Sequence, residues 1–409
     1  MDARKERGQI IAETCKLEKR HGIWYVPAQS GVGRYLVQPG PNLTTCSCPD
    51  YELRGMPCKH IHAVEFTLKR QENPDGSTTT TATVTVTETT KKPTYKQKWP
   101  EYNRAQTNEK DKFQTLLADL CGRIVDDTPR TKGQPRIPLG DAIFACCFKV
   151  YSTVSGRRFM SDLRETVERG HISRAIHFNS IYNYLENPNV TDILRSLLTQ
   201  TALPLKAVET DFACDSSGFL TSRFTRWFDV KYGSPRKKQE WVKAHIMCGV
   251  KTNVVTAVEI LDQYAADASQ LPALVDATAA NFNVREVSAD KAYSSGANHD
   301  AIAKHKATPY IAFKNSATGG IGGLFGKMYH LFSLKREEFL TCYHKRSNVE
   351  STFSMIKAKF GDSVRSKTDV AMKNEVLAKM VCHNIVCVIH ELYEAGLEPT
   401  FWGQTVPAA

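Results

Sequence analysis

No run of 18 apolar residues occurs anywhere in the 409-residue chain, so no membrane span is expected. The first residues, Met-Asp-Ala-Arg-Lys-Glu-Arg, lead into mixed charge without an apolar signal core. A chain of that kind is expected to stay in the cytoplasm. No internal repeat is visible, so nothing points to a solenoid or propeller. The glycine-rich stretch from Gly319 to Gly323 lacks the Lys-Ser/Thr of a phosphate-binding P-loop and reads as a flexible loop. Acids are in deficit, with 43 Asp+Glu against 54 Lys+Arg, for a net charge of +11 and a pI near 9.0. That balance favours a polyanionic partner such as nucleic acid. Disulfides are not expected in the cytoplasm, so the 12 cysteines read as thiols or metal ligands. The length allows two or three domains.

Residues 1–70 form one compositional unit. Ile23–Val26 and Tyr35–Val37 read as short strands joined by a Gly-Val-Gly turn, and Ile61–Leu68 as a helix. Residues 71–103 hold a Thr-dominated tract from Ser77 to Thr90 and read as a linker; its Thr-Val alternation could instead pair as an edge strand. Residues 104–202 are helical in pattern. Phe113, Leu116, Leu117 and Leu120 make an amphipathic stripe, and Ala142–Tyr151 is apolar on most sides. Ser161–Arg169, with Ser161 as N-cap, and Phe178–Leu185 flank Gly170. From 203 to 398 strands predominate: Ala207–Cys214, Lys243–Val250, Val254–Ile260, Val284–Ala289 and Pro309–Phe313. Helices Leu271–Ala280, Val349–Phe360 and Ala371–Tyr393 are interleaved. Mixed strands and helices indicate an α/β domain around one twisted sheet. Residues 399–409 are a tail.

Cys46-Ser-Cys48 and Cys58-Lys-His60 give Cys-x-Cys-x9-Cys-x-His. Three thiolates and one imidazole are a closed tetrahedral zinc set, structural rather than catalytic. His62 stands two residues on as a competing ligand. The metal would staple a unit too small to hold together comfortably by its core alone. The spacing resembles the SWIM-type zinc finger, a module associated with binding nucleic acid or protein.

Tyr343, Arg346, Glu350 and Lys357 lie at offsets 0, 3, 7 and 14. On one α-helix they would fall within roughly 60° of arc. Val349, Phe353, Ile356 and Phe360 fill the adjacent arc, so the polar set lines the rim of a core-facing stripe. Tyr-x2-Arg-x3-Glu-x6-Lys resembles the Tyr-Arg-Glu-Lys signature of insertion-sequence DDE transposases. In that family the Glu is the third catalytic carboxylate. The resemblance implies two upstream aspartates at strand ends. Asp215, before Ser-Ser-Gly, and Asp290, after Val-Arg-Glu-Val-Ser-Ala, look like them. Asp211 is a rival for the first position, since it faces the same side of its strand.

The resemblance implies an RNase H-like catalytic domain and, by its DNA substrate, a nucleoid-associated protein. Phosphodiester cleavage needs a deprotonated nucleophile and charge relief on the leaving oxygen, which a pair of divalent ions supplies. Asp215, Asp290 and Glu350 would cage Mg (or Mn), which prefers oxygen ligands. By resemblance, Lys357 would hold the transposon-end backbone, and Tyr343 and Arg346 would position DNA around Glu350. The basic stretch from Arg223 to Lys243, with Arg236, Lys237 and Lys238, could track a phosphate backbone. The helices around Gly170 could form a helix-turn-helix, with Phe178–Leu185 in the major groove. The expected function is a DNA transposase that cleaves transposon ends and joins them to double-stranded target DNA, as a homodimer or larger assembly. The alternatives are a metal nuclease without strand transfer and a domesticated DNA-binding regulator.

Overall fold

The computed structural model describes residues 3–29, 33–40, 43–72, 78–82, 98–126, 136–221, 241–314, 316–318, 320, 322–399 and 401–402. The chain divides into two compact units, Met1–Tyr95 and Lys96–Ala409.

The first unit begins with a helix the sequence pattern did not announce, α1 (Ala3–Thr14). Four antiparallel strands follow in spatial order: β1 (Glu18–Arg20), β2 (Ile23–Pro27), β3 (Arg34–Gln38) and β4 (Thr45–Cys46). Trp24 and Val26 alternate with half-buried neighbours, as a sheet with one packed face requires. Helices α2 (Pro49–Arg54) and α3 (Lys59–Thr67) close the unit. α1 lies close on α3 at Gly8, where a Cβ would stand 2.6 Å from the His62 Cβ. Part of the expected linker is paired: β5 (Leu68–Glu72) and β6 (Thr78–Ala82) form an antiparallel ribbon. The Thr-Val repeat itself, from 83 to 90, lies outside the described residues.

The second unit opens with six helices: α4 (Trp99–Thr107), α5 (Glu109–Gly122), α6 (Leu139–Ser152), α7 (Gly156–Glu168), α8 (Phe178–Leu185) and α9 (Asn189–Ala202). α7 starts five residues earlier than the sequence suggests. Ser155 is its N-cap, and the Ser161 hydroxyl, already inside the helix, donates to the Arg158 carbonyl at 2.9 Å. Residues 169–177 separate α7 from α8. That connection is far longer than the 3–4-residue turn of a helix-turn-helix, so the pair does not form that motif.

A five-stranded sheet follows, made of β7 (Asp211–Leu220), β8 (Trp241–Gly249), β9 (Val255–Leu261), β10 (Glu286–Ala289) and β11 (Thr308–Ile311). Its order is β11-β10-β7-β8-β9. β7, β8 and β9 are antiparallel neighbours, whereas β10 and β11 run parallel to β7 and to each other. Between and after the strands come α10 (Leu271–Ala279), α11 (Gly296–Ala303), α12 (Gly323–Leu334), α13 (Arg336–Tyr343), α14 (Ser347–Phe360) and α15 (Asp369–Ala395). The helices of residues 98–202 and the sheet share one hydrophobic core.

α15 has the length and apolarity of a membrane span, but 72% of its most apolar window is buried inside the unit. It is a core helix, and Asn384 shows why a polar residue belongs in it. Its amide accepts from the Val255 N–H at 2.8 Å, and donates to the Val255 carbonyl at 2.8 Å and to the Thr201 hydroxyl at 3.2 Å. One buried side chain therefore satisfies backbone groups of the edge strand β9 and ties it to α9.

Candidate functional site

In the first unit, β4 delivers Cys46, Cys48 precedes α2, Cys58 precedes α3, and His60 sits in the first turn of α3. All four are buried, and their ligand atoms lie within 4.8 Å of one another. The His60 Nδ1 is 3.9 Å from the Cys46 sulfur and 3.8 Å from the Cys58 sulfur. A tetrahedron with Zn–S near 2.3 Å and Zn–N near 2.0 Å has edges of roughly 3.5–3.8 Å, so the cage fits zinc. The Tyr35 ring, 4.7 Å from the imidazole by centroids, holds His60 in place. The hydrogen bond from Cys46 holds the Cys58 thiol well below the usual range, against burial, and Cys46 is pushed up in return. His62 is not a ligand. It is not among the four clustered side chains and pairs with Glu65 at 2.9 Å.

In the second unit, Asp215 lies in the middle of β7 and not at its end. The strand continues to Leu220 because Ser216–Leu220 pair with β8, and Gly218 leaves room for the Trp241 ring, which a Cβ would meet at 2.7 Å. Asp290 follows β10 directly. β10 is parallel to β7 with Ala289 opposite Cys214, so continuing the register sets Asp290 beside Asp215 on strands about 4.8 Å apart. Glu350 comes from α14, which packs on the face of β7 and β8 that carries Ala213, Asp215 and Ser217. Val349, Phe353, Ile356 and Phe360 are its buried stripe.

The Tyr343–Lys357 run is not one α-helix. Tyr343 closes α13, residues His344–Arg346 form a 3-10 turn, and α14 begins at Ser347. This turn is pinned to the sheet. Lys345 reaches Asp211 at 2.7 Å and Glu286 at 2.6 Å. Asp211 also takes a two-pronged bond from Arg285 at 3.0 and 2.8 Å. Burial alone would raise the Asp211 pKa, but these two cations outweigh it and hold the carboxyl below the usual range. Asp211 is thus committed to holding the turn in place.

Arg346, next in the chain, bonds Asp215 at 3.2 Å and Glu350 at 2.6 Å. It is the residue that draws the first and third acids together. Burial raises the pKa of Asp215. The Ser216 N–H at 2.8 Å and Arg346 oppose that rise, while the nearby charges of Asp290 and Glu350 add to it. Burial and the Asp290 charge likewise raise Tyr343, against Arg346. Three carboxylates with one guanidinium leave excess negative charge, and an all-oxygen donor set of that kind suits a hard divalent ion. Among the described residues, only the Cys3His group brings three or more such ligand atoms within 4.8 Å of one another. Asp215 and Glu350 share Arg346 instead, and Asp290 stands beside Asp215 by strand register.

Lys357 lies two helical turns beyond Glu350 and donates to the Ser217 hydroxyl at 2.7 Å, with its ammonium 5.3 Å from the Phe219 ring centroid. Burial lowers its pKa. Arg236, Lys237 and Lys238 fall outside the described residues. Lys243, from the same basic stretch, is engaged with Asp267 at 2.7 Å and the Ala265 carbonyl at 3.0 Å. Sequence reasoning missed Lys345 and Ser217, and also Asp267, which accepts from Ser216 at 2.7 Å on the opposite face of β7. No spacing rule marks such partners; they become visible only once β7 and its neighbours are aligned.

The two units define a zinc-finger protein that also carries an α/β domain with acids gathered on its sheet. Residues 206–385 match the transposase DDE domain family and residues 35–69 match the SWIM zinc finger. The chain therefore carries a DDE transposase domain behind an N-terminal SWIM finger. No curated protein and no solved structure matches it.

Proposed function

We propose that the chain is a metal-dependent DNA transposase that cleaves at transposon ends and joins them to target DNA. One observation carries this reading. Arg346 holds Asp215 and Glu350 together while the β7–β10 register sets Asp290 beside Asp215. The strand order β11-β10-β7-β8-β9, with acids on the central strand, at a neighbouring strand end and on a covering helix, supports an RNase H-like catalytic domain. Asp215, Asp290 and Glu350 would hold Mg or Mn, which when bound activates the oxygen nucleophile and relieves charge on the leaving oxygen.

The remaining residues bind and orient. Lys357 and Arg346 offer cations to a phosphate approaching the acids, and Tyr343 borders the same group. Water attack at an element end breaks the phosphodiester and leaves a 3′-hydroxyl. That hydroxyl then attacks a target phosphodiester in line, so no covalent protein–DNA intermediate is needed. Double-stranded DNA is the substrate, and joining two ends calls for a dimer or larger assembly. Zinc in the first unit is structural.

The test is incubation of purified protein with Mg and DNA carrying the sequences that flank its gene, followed by mapping of 3′ ends and joined products. End-specific nicks with joined products, absent for Asp290→Ala, support the reading. Nicks without joining favour a nuclease. Binding with no cleavage, unchanged in the variant, favours a DNA-binding regulator and overturns the proposal.

A further inference from the structure

Away from the carboxylates, a cavity of about 480 Å³ opens between α6, α8, the last turn of α14 and the segment leading into α15. Its lining is rich in cations, and most of them are already engaged. Lys359 pairs with Glu109 at 2.5 Å. Lys379 donates to the Gly361 and Ser363 carbonyls at 2.9 and 2.8 Å. The Arg365 guanidinium donates to the carbonyls of Thr153 and Val154. The wall also holds an acid, Glu375, whose oxygens are occupied by the Arg365 N–H at 3.0 Å and by the Ser366 N–H and hydroxyl at 2.9 and 2.7 Å.

Lys149 on α6 differs from these. It is only 6% exposed and lines the cavity, yet among the described residues none gives its ammonium a hydrogen bond or ion pair. Its ammonium stands 6.0 Å from the Phe159 ring centroid. A buried ammonium without a counter-charge is costly, and it is retained most readily where an anion comes to it. Burial and then Arg365 depress its pKa to about 8, against the pull of Glu375, so an arriving anion would also favour its charged form. Lys367, exposed at the same cavity, adds a further positive charge.

We propose that this cavity is a phosphate-binding site centred on Lys149. Its ligand is a phosphoryl group, carried either by a small phosphate compound or by a DNA backbone. The second source rests on the transposase reading; the site itself does not.

The experiment labels lysines of the full-length protein with an acylating reagent near pH 8 and follows the Lys149 peptide by mass spectrometry. Inorganic phosphate at millimolar concentration is expected to slow labelling of Lys149 severalfold, with chloride at matched ionic strength having no effect. Protection by a 30-base-pair duplex at lower concentration assigns the DNA backbone. Protection by phosphate alone assigns a small phosphate ligand. Lys149→Met removes a buried charge and should fold at least as well, but should lose any thermal shift given by phosphate. Labelling unchanged by both phosphate and duplex, or a phosphate shift that survives Lys149→Met, overturns the proposal. Loss of cleavage activity at the carboxylates would leave the inorganic phosphate result untouched.

Discussion

Removal of zinc should unfold the first unit and spare the second. The core of the first unit comprises Ile11, Trp24, Val26, Val37, Ile61, Ala63 and Val64 together with the three cysteines of the cage. A core in a unit of about 70 residues rarely supplies more than roughly 3–5 kcal/mol of net stability. Structural zinc in small fingers contributes about 10–16 kcal/mol. The metal term exceeds the rest severalfold, so the metal-free unit should lie on the unfolded side. Peptide-level hydrogen exchange before and after treatment with a zinc-selective chelator reads this directly. Peptides within Ile23–Val64 should lose protection, while those of β7, β8 and α15 keep it. Cys58→Ser should reproduce the loss and His62→Ala should not, since His62 pairs with Glu65 outside the cage. Undiminished protection of Ile23–Val64 after verified metal removal would refute the reasoning.

His383 gives a pH prediction. It is buried, and its Nε2 donates to the Asn253 carbonyl at 2.9 Å; burial lowers its pKa from the ordinary 6.5 to about 4, against the pull of that hydrogen bond. The folded state thus binds fewer protons than the unfolded one between those values, so stability is full above pH ~6.5 and falls as pH drops toward 4. The gap of about 2.5 pH units corresponds to about 3 kcal/mol, visible in urea midpoints at pH 7 and 4.5 and reduced in His383→Gln. Asn384→Ala leaves the N–H and carbonyl of Val255 unpaired. At roughly 1–3 kcal/mol per buried group it should cost about 3 kcal/mol, and calorimetry should show a fall of roughly 6–12 °C in the melting of the second unit. Lys357→Ala should weaken DNA binding across sequences and reduce the salt-dependence slope by about 1, as loss of one phosphate contact does; an unchanged slope would remove Lys357 from the interface.

Local patterns in the sequence identified most elements, and long-range pairing set their ends. The zinc ligands were legible because thiolate and imidazole at fixed short spacing have few other uses. The strands β8, β9, β10 and β11 were visible as apolar runs. β7 was misread at both ends: Ala207–Thr210 precede the strand, and Ser-Ser-Gly resembles a terminator. Pairing with β8 and the Trp241 ring over Gly218 extend it to Leu220. Helical periodicity spans a 3-10 turn without a break, so Tyr343 was assigned to the helix of Glu350 when it belongs to α13. Ser161 has cap chemistry, but Ser155 occupies the position where α7 begins. The selection of Asp215 over Asp211 rested on resemblance. In the structure Asp211 is engaged by Arg285 and Lys345, which are remote from it in sequence and so not legible there.

The most direct test of the central claim is metal-specificity rescue at the three acids. Asp215→Cys, Asp290→Cys and Glu350→Cys are each assayed for transposon-end cleavage in Mg and in Mn. A thiolate ligates Mg poorly and tolerates softer Mn better. The account predicts loss of cleavage in Mg and partial recovery in Mn for all three, with Asp211→Cys inactive in both or insensitive to the metal. Full activity of Asp215→Cys in Mg, or rescue by Mn at Asp211→Cys in place of Asp215→Cys, would contradict it.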